Sequence, residues 1–287
     1  MALDSHALEL VIRLRCEGYL SGRLSVMEIG AQQLANEFLE ARYRLLEVGR
    51  IFDAAAACPL PGAKPTHVVH GELEHLAENA PAARDFWRWL GFDHASIDVD
   101  GSPGSIPLDL NYDSAPGYTV GKYPLVTNFG TTEHVANQLN AFRVIHDLAA
   151  PGAVMIHHLP MQGMINHGLV NYNPKFFWML ARSNGYRLVY MNVIASTSYY
   201  ALPTNIVAAV SPFEPDIGVR RDAYRIADMY IIAVMQKSYD TPYVAPLDVP
   251  TGTRTHDKTL EDRYWSVFKA DPFVGLAPTG SVSARIG

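Results

Sequence analysis

The chain has 287 residues, 48% of them hydrophobic and 18% charged, with 23 Lys and Arg against 29 Asp and Glu for a net charge of −6. That balance fits a globular protein with a sizeable core, and the absence of a basic block disfavours a nucleic-acid backbone as partner. No apolar run approaches the ~20 residues of a membrane span, residues 1–6 do not resemble a secretory signal, and Cys16 and Cys58 are expected to be reduced thiols of a cytoplasmic protein.

Residues 3–20 predict a helix, with Leu8, Leu10, Val11, Leu14 and Cys16 at roughly helical spacing and Gly18 as a stop. Val26, Met27 and Ile29 form an apolar run too short for a helix, so 25–29 reads as a buried strand turning at Gly30, which has no Cβ to obstruct a tight bend. Helices are expected over 34–52 and 73–90, separated by a Pro-rich loop over 54–65. Strands follow at 95–99, 108–111 and 123–128. Then come a helix over 132–148, a turn at Pro151-Gly152 and a fifth strand at 153–156 running into His157-His158. Residues 174–184 predict a helix with Pro174 in its first turn and Asn184-Gly185 at its end. The apolar, β-branched runs 186–194 and 206–210 predict two final strands.

Alternating strands and helices point to a mostly parallel sheet covered on both faces. The connection 195–205 is too short for a crossover helix, so the last two strands should pair antiparallel. This gives a domain over 1–237 and a Pro/Gly/Thr-rich extension over 238–287, with a helical piece at 260–269, packed on the domain or on a partner subunit in a homodimer.

In an open α/β sheet, ligands sit beyond the carboxyl ends of the strands. Polar groups stand at each such end here: Glu28 and Gly30, Asp98 and Asp100, Asp109 and Asn111, Thr127 and Asn128, His157 and His158. A carboxylate after the second strand suits the two ribose hydroxyls, being a pure acceptor. The first turn, Gly30-Ala31-Gln32-Gln33-Leu34, lacks the three glycines that meet a pyrophosphate, and no Gly-Lys-Ser/Thr occurs. A nucleoside without phosphates fits better than a dinucleotide.

The chain resembles the class I S-adenosylmethionine-dependent methyltransferases. The residues that carry the resemblance are Val26-Met27-Glu28-Ile29-Gly30-Ala31-Gln32, Ser96-Ile97-Asp98-Val99-Asp100-Gly101, Leu108-Asp109-Leu110-Asn111, residues 127–134 and residues 151–157. It implies a Rossmann-like fold with a mostly parallel seven-stranded sheet, a C-terminal antiparallel hairpin and helices on both faces. It also implies S-adenosyl-L-methionine as cofactor. Glu28, Gly30, Ala31 and Gln32 would form the first cofactor loop, with ribose at Asp98 or Asp100 beside Val99. Adenine would lie near Asp109 and Leu110, and the fourth-strand loop Asn128, Phe129 and Gly130 would face cofactor and substrate. The family's glycine-rich first loop is reduced here to one glycine.

The implied reaction is displacement of the methyl group onto an aligned nucleophile. A hydroxyl nucleophile needs a base, and histidine suits that role near pH 7. His134, His157 and His167 are the candidates, with Tyr112, His158, Asn171 and Tyr172 as substrate contacts. His157 and His158 must point to opposite faces of their strand, so one of them reads as a core residue. His134 could instead cap or pack against its helix, and Asn173 could cap the helix after it. The histidines lack a zinc-type spacing with Cys or carboxylates, so no metal is expected. The acceptor is expected to be a small molecule, with a sugar or sugar-nucleotide hydroxyl first, under a lid from 54–71 and 113–122. A catalytically inactive relative and a nicotinamide-dependent oxidoreductase are the rivals.

Overall fold

Short apolar runs form the spine of a seven-stranded sheet with helices on both faces. The computed structural model describes residues 3–22, 24–35, 42–54, 82–100, 102, 104–165, 167–201, 225–248, 258, 259 and 263. Its elements, in chain order, are α1 (Ser5–Cys16), β1 (Ser25–Ile29), α2 (Arg42–Ile51), α3 (Ala83–Trp89), β2 (Asp93–Asp98), β3 (Ile106–Pro107), β4 (Tyr123–Phe129), a 3₁₀ turn (Thr132–His134), α4 (Gln138–Leu148), β5 (Ala149–Gln162), α5 (Pro174–Asn184), β6 (Arg187–Ala201) and β7 (Arg225–Gln236). The strand order is β3-β2-β1-β4-β5-β7-β6. The first five strands pair parallel, and β7 lies antiparallel between β5 and β6. This is a Rossmann-like fold closed by an antiparallel hairpin.

Alternation along the central strands divides the core in two. Val26, Leu125, Val154 and Ile156 face α1, α2 and α3, where Leu14, Leu45, Phe86 and Trp87 pack. Met27, Ile29, Val126 and Met155 face α4 and α5, where Phe142, Ile145, Phe177 and Leu180 pack. All five residues of β1 are buried, and its apolar Val26, Met27 and Ile29 serve both halves of the core. Burying each such large side chain contributes roughly 1.5–3 kcal/mol. Residues 238–248 lie against the α4–α5 face. There His146 Nε2 is 2.7 Å from Thr241 O, and Asn184 exchanges two 2.8 Å bonds with the Val244 backbone.

Several boundaries depart from the sequence expectations. The helix expected over 132–148 is broken: a 3₁₀ turn ends at His134 and α4 starts at Gln138. Asn137 causes the restart, its side chain accepting from Asn140 N at 3.2 Å. The third strand is Ile106–Pro107, because 109–113 curls into a turn in which Asp109 Oδ1 accepts from Asn111 N and Asp113 Oδ2 accepts from Asp109 N. The fifth strand runs on to Gln162, so His157 and His158 lie inside it, because β7 pairs with it from Val154 to Gln162. Among the described residues the strand that pairs antiparallel with β6 is β7, whose run Ile231–Met235 is fully apolar and buried. The expected 206–210 strand, residues 36–41 and 73–81 of two expected helices, the loop and lid piece beyond Ala54 (with Cys58), and the 260–269 piece except Arg263 lie outside the described residues.

Candidate functional site

The turn after β1 is held by side chains where a glycine-rich loop would rely on its backbone alone. Gly30 has φ +77°, and a Cβ there would sit 2.3 Å from Thr131 Oγ1. Both features require glycine. Thr131 Oγ1 donates to Ile29 O at 2.6 Å, and Gln32 Nε2 donates to Ile29 O and Gly30 O at 3.0 and 3.1 Å. These bonds orient the Gln32 amide, whose buried Oε1 has no hydrogen-bond partner among the described residues. Asp98, at the end of β2, accepts from Ala31 N at 2.7 Å and from Asp100 N at 3.2 Å. Two donors do not exhaust a carboxylate's acceptor capacity.

The opposite wall comes from the β3 end, fastened to α4. Asn137 N and Nδ2 donate to Asn111 Oδ1 and O at 3.0 and 2.8 Å, and Asn140 Nδ2 donates to Leu110 O at 2.9 Å. Between these walls lies a cavity of about 410 Å³, within the range of small-molecule sites. Its lining joins Gly30, Ala31 and Gln32 from the first turn, Ile97 and Asp98 from β2 with Val99 just beyond, and 108–111 from the segment after β3. The loop after β4 adds Gly130, Thr131, His134 and Val135.

The β4–β5 side is filled instead. Asn128 Nδ2 lies 2.9 Å from Thr132 Oγ1 and 3.3 Å from His157 Nδ1. His157 is 1% exposed and sits between the Phe142 and Phe177 rings. Burial pushes its pKa down to about 3, so the ring is neutral near pH 7. The Tyr172 hydroxyl meets Thr132 Oγ1 at 2.8 Å and Gln138 Oε1 at 2.6 Å, and burial raises its pKa. His158, on the other face, is buried beside Tyr230, 3.8 Å from Asp4 Oδ2, with its pKa lowered by burial. Phe129 is fully buried in the α1–α3 half of the core.

Of the residues proposed from sequence, Gly30, Ala31, Gln32, Asp98, Val99, Asp109, Leu110, Gly130 and His134 come together on the cavity. Glu28, Asn128, Phe129, His157, His158 and Tyr172 are buried elsewhere. Glu28, 1% exposed, accepts from Trp87 Nε1 at 2.7 Å and from Gln32 N at 3.2 Å, and lies 2.9 Å from His94 Nε2. It anchors the first turn from below. Asp100 is held by Ser102, whose N and Oγ donate to it at 2.8 and 2.7 Å and keep its carboxyl below the usual range. Tyr112 is 86% exposed, Asn171 donates to Gly163 O at 3.1 Å, and 113–122 does not line the cavity.

Sequence reasoning missed Thr131 and Glu133. The signal for Glu133 was its position beside His134 in a strand-end loop. Glu133 is fully buried, and its Oε1 lies 3.4 Å from His167 Nε2 and 3.8 Å from His134 Nε2. Burial lowers the His134 pKa, opposed by the Glu133 charge.

No protein-family model matches the sequence, and no curated protein sequence matches it. Among solved structures, the chain is similar to a candidate methyltransferase from Bacillus halodurans at 10% identity, over 80% of this chain and 99% of that one, with a TM-score of 0.46. It is similar to a SAM-dependent methyltransferase from Methanosarcina mazei at 9% identity, over 78% and 97%, with a TM-score of 0.39. It is also similar to the 1,6-didemethyltoxoflavin-N1-methyltransferase of Burkholderia thailandensis, solved with its namesake ligand and S-adenosylhomocysteine, at 10% identity over 82% and 80%, with a TM-score of 0.36. At this identity and overlap the likeness is one of general architecture.

Proposed function

We propose that this chain transfers a methyl group from S-adenosyl-L-methionine to a hydroxyl oxygen of a small molecule, with a sugar or sugar nucleotide as the first acceptor to test. The observation that carries the reading is the cavity at the ends of β1, β2 and β3, which has carboxylates on two walls and no cradle for a pyrophosphate. Asp98 has acceptor capacity left for ribose hydroxyls, and Leu108 and Leu110 offer an apolar surface beside Asp109 for a flat base. Gln32 lines the wall near the Gly30 turn, where the amino-acid end of the cofactor would lie.

When bound, S-adenosylmethionine supplies an electrophilic methyl on sulfur. The chain's task is then to hold an oxygen nucleophile in line and receive its proton. Of the three candidate bases, His134 is the one on the cavity wall, with His167 behind it at a ring separation of 5.2 Å. His157 is enclosed by aromatic rings and reaches no solvent, so its role in this reading is structural.

Calorimetry of the full chain with S-adenosylhomocysteine tests the cofactor, and transfer of a labelled methyl group to a panel of sugars and sugar nucleotides tests the acceptor. Saturable one-to-one binding with labelled product is the expected result. Binding without turnover on any acceptor would favour the inactive-relative reading. A fluorescence change with reduced nicotinamide cofactor, and no response to S-adenosylhomocysteine, would replace the methyltransferase by an oxidoreductase.

A further inference from the structure

We infer that Glu133, His134 and His167 form a binding site for a divalent first-row transition metal at the edge of the cavity. The ligating atoms of these three side chains all lie within 4.8 Å of one another. Glu133 is fully buried, and among the described residues neither of its carboxylate oxygens has a hydrogen-bond partner, nor has His167 Nε2. A buried carboxylate is strongly disfavoured unless something cationic compensates it.

An imidazolium could compensate it through a charge-assisted hydrogen bond, but such bonds close to about 2.7–2.9 Å. The observed separations are 3.4 Å to His167 Nε2 and 3.8 Å to His134 Nε2. Ligand atoms placed about 2.1 Å from one ion stand roughly 3–3.5 Å apart around it. The His167 spacing already meets that range, and His134, half-exposed and 3.8 Å from the same oxygen, must move closer to join.

The site is built, not assembled from loose surface groups. Leu169 N and Val170 N donate to Glu133 O at 2.8 and 3.1 Å, which fastens the His167 loop onto the Glu133 turn. Gly168 permits that approach, since a Cβ there would fall 2.9 Å from Glu133 Cγ. At its other end the loop is tied to β7 by Met164 N donating to Asp228 Oδ1 at 2.7 Å. Two imidazoles and one carboxylate suit zinc, iron(II), cobalt(II) or nickel(II). Magnesium and calcium prefer all-oxygen shells.

Three protein ligands leave positions open, and His134 faces the cavity. An acceptor hydroxyl coordinated there loses its proton to water more readily. Its oxygen then forms the new O–CH3 bond as the S–CH3 bond breaks and the sulfur keeps the electron pair. His134 acts in this scheme as a ligand, and the metal takes over from free imidazole the task of acidifying the acceptor. That role rests on the proposed methyl transfer; metal binding itself does not.

Titration of the metal-free full chain with cobalt(II), followed by its visible d–d absorption, tests the site. One cobalt per chain is expected, undisplaced by a large excess of magnesium. H134A and H167A should each weaken binding at least about ten-fold, E133Q should weaken it further, and H6A, a histidine of α1 outside the cluster, should leave it unchanged. His134 is half-exposed, so H134A keeps the test decisive even if E133Q does not fold. Absence of the cobalt absorption, or wild-type affinity in H134A and H167A, overturns the inference. S-adenosylhomocysteine binding is read in a separate titration, so failure of either reading is recognised without the other.

Discussion

The ends of β1, β2 and β3, with the loop after β4, lie beside the Asn128 and His157 stretch of β4 and β5 in one sheet, yet the first group opens on a cavity and the second is closed by its own side chains. At the first, the chain offers a glycine, an alanine and backbone amides, and Asp98 bridges the turn without filling the space. At the second, Asn128, Thr132, His157 and Tyr172 bond to one another beneath Phe142 and Phe177. A polar residue near a strand end is therefore not by itself a ligand residue. It becomes one only where neighbouring elements leave it space and unspent hydrogen-bonding capacity.

Gly30→Val should have the largest effect on this contrast, because it would fill the open side. The new side chain meets Thr131 Oγ1, and the +77° φ disfavours any β-branched residue. Affinity for S-adenosylhomocysteine, measured by calorimetry, should fall by more than about 100-fold, or ~2.7 kcal/mol. A dissociation constant within a few-fold of wild type would mean that the turn does not hold the cavity open.

Asp98→Ala removes a charged acceptor from the same side and should cost about ten-fold in cofactor affinity, ~1.4 kcal/mol. Asp98→Asn keeps an acceptor for Ala31 N while losing the charge, so its affinity should fall between the two. Equal loss in both variants would assign the whole effect to charge.

His157→Leu probes the closed side, where the readout should be stability and not cofactor affinity. The folded protein holds His157 neutral down to about pH 3, whereas the unfolded chain protonates it near the ordinary histidine value. The unfolded state thus binds more protons between about pH 6.5 and 3, and stability falls as pH is lowered through that window. One such group contributes a slope of up to ~1.4 kcal/mol per pH unit. Denaturant unfolding of His157→Leu between pH 7 and 4 should show a shallower decline, with S-adenosylhomocysteine affinity at pH 7 unchanged. Loss of cofactor affinity would show that the closed side communicates with the cavity.

Much of the framework was legible in the residues. Short apolar runs located β1, β4 and the core of β5, roughly helical spacing located α1, and Pro174 and Asn184-Gly185 bounded α5, which Asn173 caps. The antiparallel pairing was expected, but β7, the strand that makes it with β6, was not singled out, and the expected 206–210 strand lies outside the described residues. The strand that inserts beside β5 comes from a more distant segment, and local pattern carries no pairing information. The turn residues Gly30, Ala31 and Gln32 and the carboxylates Asp98 and Asp109 could be proposed because the ends of parallel strands share one edge of a sheet.

Sequence alone determined the alternation of strands and helices, the sheet buried on both faces and the single-glycine first turn, because period and backbone permissiveness are local properties. The tertiary structure decided which polar residues face the cavity. Glu28 is committed to Trp87 and His94, His157 to Asn128 and the phenylalanines, and Glu133 is brought against His167 from 34 positions further along the chain. Partner and solvent access belong to the packed chain, and they separate a buried plug from a binding group.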